Sequence, residues 1–238
     1  MLRKGHADQV EAGNYVAVPV WDIPTRVLHW LNAVTVITLV LLIFMMEGME
    51  SLGLSEDAEE LLQDQLTLLH AYAGYFLTVT YSCRIIWGFI GNQHARFSDM
   101  ISFKREHWAA IGANIKWYLS GFKGHPPVAV GHNPLASLLY LPLFIVLGVQ
   151  VLTGLTLAGL EYEVFPGTVI KNVWGIEGVD SFGDAAEEIH ELGYAFILFF
   201  FFCHMGGLVL HELGERSGLL SAMIHGRKYF SRDRIEKE

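Results

Sequence analysis

The chain has 238 residues, 52% of them hydrophobic and 17% charged, with a net charge of −9 and a mean hydropathy of +0.35. That is more apolar than a water-soluble domain needs for its core, so a membrane protein is expected and a nucleic-acid partner is not. The two cysteines, Cys83 and Cys203, both lie inside apolar stretches, where packing is their expected role and a disulfide is not.

In chain order, a mostly polar tail over 1–26 leads into the first apolar stretch, 27–46 (VLHWLNAVTVITLVLLIFMM), which has no small-residue cleavage site behind it and reads as a retained anchor. Further stretches follow at 67–90, 135–160 and 189–210, each at or above the ~20 residues that a ~30 Å hydrocarbon core requires. Between the second and third stretches, Trp108, Ile111, Ile115, Tyr118, Leu119 and Phe122 recur at helical spacing beside Lys104, Arg105 and Lys116. This predicts an amphipathic helix on the membrane surface. Asn133-Pro134 has the form of an N-cap followed by proline at the first helical position, opening the third stretch. Trp30, Trp87 and Trp174 stand near the ends of apolar stretches, as interfacial aromatics do.

Charge orients these elements. Loops 47–66 and 161–188 carry seven acidic residues each and between them one basic residue, Lys171, whereas 1–26, 91–134 and 211–238 carry three, five and six Lys/Arg. The positive-inside rule then leaves both termini and the middle loop cytoplasmic. The expected architecture is all-α: a single membrane domain over 1–238, a four-helix bundle in the inner membrane.

Four of the eleven histidines, His29, His70, His190 and His204, fall inside the apolar stretches. His190 and His204 are fourteen residues apart, which on a helix returns them to nearly one face, roughly 21 Å apart along the axis. With the topology above, His70 and His190 lie near the outer surface, and His29 and His204 near the inner one. Two matched pairs on different helices suit two bis-histidine haems b, each held between facing helices. A zinc site would need three or four ligands at one depth, and a proton relay a graded series of groups. No C-x-x-C-H pattern is present, so covalent c-type attachment is excluded. His211 is a rival to His204.

Arg84 is the only Lys or Arg in the four stretches. It sits fourteen residues after His70, near the level of His204, and either pairs with haem propionates or snorkels to the surface. Gly74 and Gly193, close after His70 and His190, either admit a macrocycle to the backbone or serve close helix packing.

Several segments together carry a resemblance: RVLHWLNA, LLHAYAGY, CRIIWGFIGNQHAR, WYL, GHNPLA, VLTGLTL, HELGY with CH, and LLSAMIHGRK. In this order and spacing the chain resembles the b-type cytochrome subunit of membrane-bound nickel–iron hydrogenases over nearly its full length. The resemblance implies two haems b, ligated by one histidine in the first span, one in the second and two in the fourth. These correspond to His29, His70, His190 and His204. It further implies a membrane anchor that docks on the small subunit of a small/large-subunit hydrogenase and passes electrons from its iron–sulfur clusters to quinone, hydrogen chemistry residing in those partners. A quinone site near the inner haem would draw on His94, Arg96 and Arg26. The opening VPVWDIPTR is similar also to di-haem cytochromes that serve other dehydrogenases or soluble cytochromes c. The acidic 47–66 loop and HELGERSG depart from the hydrogenase pattern. A cytochrome b for another periplasmic donor, or a free-standing di-haem quinol oxidase, are the alternatives.

Overall fold

The structure is a computed structural model that describes residues 10–12, 14–100, 104–124, 128–165, 167–174, 181–215 and 217–235. Those residues are mostly helical. The long helices are α1 (Ile23–Glu47), α2 (Glu56–Ile90), α5 (Pro134–Tyr162) and α7 (Ser181–Glu215). Shorter ones are α3 (Phe97–Met100), α4 (Arg105–Leu119), α6 (Gly167–Trp174), α8 (Leu219–His225) and α9 (Arg232–Ile235). Among the described residues, three helical stretches are long and apolar enough to cross a membrane: Ile23–Glu47, Pro134–Tyr162 and Gly183–Gly214. The expected second span lies within α2, where His70, Tyr72, Tyr75, Tyr81 and Arg84 dilute the apolar content.

The long helices overrun the apolar stretches that the sequence marks out. At about 1.5 Å per residue the 35 residues of α2 extend roughly 50 Å, well beyond a ~30 Å core. Its added first turns carry Glu56, Asp57 and Glu59, acids that favour a helix N-terminus and so extend the helix where hydropathy has already ended.

The chain forms two compact units. The first comprises Leu28–Cys83 and Phe144–Phe199. Its helical segments carry apolar side chains that are exposed, among them Ile37, Leu41, Phe76, Val79 and Phe199, as suits contact with lipid. Their polar side chains are satisfied locally. Thr35 and Thr38 donate to carbonyls one turn back, and Thr80 donates to Asn32 Oδ1 at 3.0 Å, joining α2 to α1. Tyr81 Oη donates to the Phe144 carbonyl at 2.7 Å, beside Gly148, where a Cβ would come within 2.9 Å of that hydroxyl. At the far end of α5, Gly159 and Gly167 bring two backbones together, a Cβ on either meeting the other's Cα at 2.2 Å.

The second unit comprises Met1–Val27, Arg84–Leu143 and Phe200–Glu238, and here the all-α expectation is corrected. Strands β1 (Val10–Ala12), β2 (Tyr15–Pro19) and β3 (Arg227–Ser231) form an antiparallel sheet in that order, with Val16 opposite Phe230. The runs Tyr-Val-Ala-Val and Lys-Tyr-Phe have β-forming composition, and each becomes a strand by pairing with the other across the whole sequence. Gly226 turns the chain into β3 in a left-handed conformation (φ 85°), its carbonyl accepting from Val20 and Trp21. Asp22 then caps α1, accepting from Thr25 N at 2.9 Å, and Trp87 Nε1 donates to Asp22 and Thr25, so this tryptophan ties α2 to the start of α1.

Helix α4 forms between the second and third apolar stretches, in the segment where the sequence predicts a helix. Its buried face is Ile111, Asn114 and Trp117, whereas Trp108, Ile115 and Leu119 form an exposed apolar stripe near Arg105 and Lys116. Asn133 caps α5 as expected, accepting from Leu135 N and Ala136 N, and its amide reaches Asn114 Oδ1. In the last turns of α7, Glu212 accepts from Gly218 N and Leu219 N and so fixes the start of α8. Trp174's side chain lies outside the described residues.

Candidate haem-binding site

His70 on α2 and His190 on α7 face one another in the first unit, their ring centres 6.3 Å apart and their planes at 70°. Both line a cavity of about 380 Å³ enclosed by segments of α1, α2, α5 and α7. With metal–nitrogen bonds of about 2 Å, two imidazoles on one iron hold their ring centres roughly 6 Å apart, so the pair matches a shared iron. The walls are largely apolar, with Leu39, Leu77 and Leu147 among them. Gly74 also lines the cavity, and a Cβ added there meets nothing within 4 Å, so this glycine borders open space as the macrocycle reading requires. Tyr75 points a buried hydroxyl with no hydrogen-bond partner among the described residues, as a polar edge of a bound group would use. These features fit haem.

The fourth wall is α5, which carries no expected ligand. Gln150 Nε2 donates to the His190 carbonyl at 2.8 Å, and Thr153 Oγ1 lies 2.8 Å from His190 Nδ1. A Cβ on Gly154 would stand 3.2 Å from His190 Cε1, so the ring rests on this glycine. Gly193 serves packing and not the cavity: a Cβ there would meet the Gln150 amide at 2.0 Å.

The other expected ligands sit as follows. His29 packs edge-on against Trp30, ring centres 5.4 Å apart. In the second unit His204 stacks on Phe200 at 5.5 Å and meets the edge of Tyr140 at 6.3 Å. Its rival His211 is buried against Trp117. Arg84 is buried, donates to the Ala95 carbonyl at 3.2 Å and lies over the Phe97 ring. The room for that ring comes from Gly88, where a Cβ would collide with it.

The three residues considered for quinone differ in what already holds them. Arg26 donates to the Ile224 carbonyl at the end of α8, and Arg96 donates to the Gly91 carbonyl at 2.7 Å, closing the end of α2. His94 lies 3.0 Å from Gln93 Nε2 and 3.7 Å from Asp99, whose same oxygen is 3.6 Å from His132. Burial pushes the Asp99 carboxyl up, but the two imidazoles beside it outweigh that and hold it well below the usual carboxylate range. Burial pulls His132 down, and Lys228 and Arg84 nearby act in the same direction against the opposing pull of Asp99.

The prokaryotic cytochrome b561 family matches residues 20–226. The chain belongs to that family. A probable Ni/Fe-hydrogenase B-type cytochrome subunit of Rhodobacter capsulatus is 30% identical, the match covering 92% of this chain and 84% of that protein. The probable subunit of Azotobacter vinelandii is 27% identical over 95% of this chain and 94% of its own. The probable Ni/Fe-hydrogenase 1 B-type cytochrome subunit of Escherichia coli (strain K12) is 26% identical over 92% and 93%. Membership makes the chain a membrane cytochrome b, with haem b as its cofactor.

Sequence reasoning about this cytochrome missed Gln150, Thr153 and Tyr75, which lie around the cavity or against His190. A signal existed for the first two. A glutamine in a span is rare, and Gln150, Thr153 and Gly154 fall at i, i+3 and i+4, one face of a helix.

Proposed function

We propose that this cytochrome b is a di-haem membrane anchor and electron-transfer subunit, carrying electrons from the iron–sulfur clusters of a periplasmic-side nickel–iron hydrogenase to membrane quinone. The observation that carries the reading is the His70–His190 pair, two imidazoles at the spacing of a shared iron beside a largely apolar cavity. Its orientation follows the charge pattern: four spans in the inner membrane, with both termini cytoplasmic and the acidic loops outside. The exposed stripe of Trp108, Ile115 and Leu119, near Arg105 and Lys116, suits α4 to the inner membrane surface. The hydrogenase as donor rests on the printed names of the relatives and on full-length similarity to them.

In this reading His70 and His190 hold an outer haem, and His29 and His204 an inner one, the second pair resting on the depth argument from sequence. Bound haem would supply one-electron redox chemistry inside the bilayer. The residues themselves ligate, orient and exclude water. Apolar walls keep the dielectric low, the α5 face steadies His190, and Arg84 is the cation available to propionates at the inner level. At the quinone site His94, Arg96 and Arg26 are the groups able to hydrogen-bond a quinone oxygen, Arg26 and Arg96 doing so beside the backbone carbonyls they already serve.

The test is a pyridine haemochrome assay with protein quantitation on the full chain purified in mild detergent. Two haems b per wild-type chain are expected, with one remaining in His70→Ala and one in His190→Ala. Absence of haem from folded wild type, or retention of both haems in the two variants, would overturn the assignment.

A further inference from the structure

We infer that Thr153, on a helix that supplies no haem ligand, sets the tautomer and the electron-donating strength of the His190 imidazole. This rests on the proposed role of His190 as a ligand and deepens it.

Thr153 Oγ1 lies 2.8 Å from the Val149 carbonyl and 2.8 Å from His190 Nδ1. A hydroxyl has one proton and a carbonyl can only accept, whereas an imidazole nitrogen can donate, so both contacts are made when the proton of Thr153 goes to the Val149 carbonyl one turn back. Thr156 donates one turn back on the same helix, to the Leu152 carbonyl at 2.9 Å. Toward His190, Thr153 is then left with a lone pair, so His190 Nδ1 carries the hydrogen and donates it. The lone pair of the ring is thereby placed on Nε2, the atom free to bind iron. A ligating histidine whose second nitrogen donates a hydrogen bond is fixed in orientation and becomes a more basic ligand, which favours the oxidised metal.

Two neighbours hold the ring in register with the hydroxyl. Gln150 clamps the His190 carbonyl at 2.8 Å, and Gly154 leaves the ring only 3.2 Å from where a Cβ would stand. Gln150, Thr153 and Gly154 thus form one face of α5 that meets His190 of α7. The family resemblance accounts for the histidine and says nothing of this face.

The experiment is a potentiometric titration, with low-spin EPR, of the full chain in mild detergent as wild type, Thr153→Val, Thr153→Ser and Thr156→Val. Valine keeps the shape and loses the acceptor, whereas serine restores it. Expected are two haems in each variant, a shift of one haem to higher potential with an altered EPR signal in T153V alone, and wild-type behaviour in T153S and T156V. Loss of one haem in T153V, with full content in T153S and T156V, would also support the role. An unmoved potential in T153V, equal changes in T156V, or failure of T153S to restore the wild-type value overturns it. Should His190→Ala leave the haem content unchanged, the ligand assignment fails first and this inference with it. An unmoved T153V potential in a chain that does lose a haem with His190→Ala overturns this inference alone.

Discussion

Replacing Gly193 by alanine tests how the α5 and α7 segments are fitted. A Cβ at 193 would stand 2.0 Å from Gln150 Nε2, 2.9 Å from its Cδ and 3.4 Å from its Cγ, so the whole amide must move. Gln150 is 8% exposed and has little space to move into, and moving breaks its 2.8 Å bond to the His190 carbonyl. A hydrogen bond lost with its donor left buried costs about 1–3 kcal/mol. Overpacking adds about 1–3 kcal/mol, and the gain of alanine over glycine in a helix offsets about 1 kcal/mol. The net expectation is destabilisation by about 1–5 kcal/mol, read as a lower thermal midpoint of the detergent-solubilised chain and earlier loss of haem on heating. A double-mutant cycle isolates the cause. In a Gln150→Ala background the obstructing amide is gone, and Gly193→Ala should become neutral or mildly stabilising. Equal destabilisation in both backgrounds would refute the fit described here and indicate that position 193 is limited by something other than Gln150.

Other outcomes follow from the second unit. Lys228, 4% exposed, donates to the Ala129 and Gly131 carbonyls at 3.2 and 2.6 Å and so ties β3 to the segment leading into α5. Lys228→Met keeps the stem and removes the donors. It should cost roughly 2–4 kcal/mol and speed hydrogen exchange around residues 128–133 and 227–231. Unchanged exchange there would show the tie to be dispensable. His132 is held below its ordinary value of 6.5, so the unfolded chain binds the extra proton first. Its contribution to stability is complete above pH 6.5 and declines as pH falls below it, by at most about 1.4 kcal/mol per pH unit. Asp99, Lys228 and Arg84 are the charged groups that set this value, with His94 sharing the Asp99 carboxylate. Asp99 acts in the same direction at lower pH, because a depressed carboxyl loses its contribution as pH falls through the acidic range. His132→Gln should therefore flatten the thermal-midpoint profile just below pH 6.5, and an unaltered slope there would count against this lowered value.

Local chemistry was legible in the sequence wherever the cause lay within a few residues. Apolar length marks where α1, α5 and α7 form, and Asn133-Pro134 opens α5 because an N-cap bonds to amides two and three positions on. The loop charges and the position of each histidine in its apolar stretch put His70 and His190 at one depth, and their rings stand 6.3 Å apart. Helix ends were less legible, since a hydropathy profile stops at the first acids while Glu56, Asp57 and Glu59 continue α2 favourably.

Only the tertiary structure decided what depends on distant partners. Tyr15–Pro19 and Arg227–Ser231 become strands because each completes the other's hydrogen bonds across some two hundred residues of chain. Gly193 reads equally as a haem neighbour or a packing residue until Gln150 is seen against it. Thr153 is one of many threonines that back-bond within their own helices, and nothing local distinguishes it until His190 stands 2.8 Å away. Sequence sets periodicity, charge and capping because these act over one helical turn. The partner of a given face is set by how the helices pack, which no single turn contains.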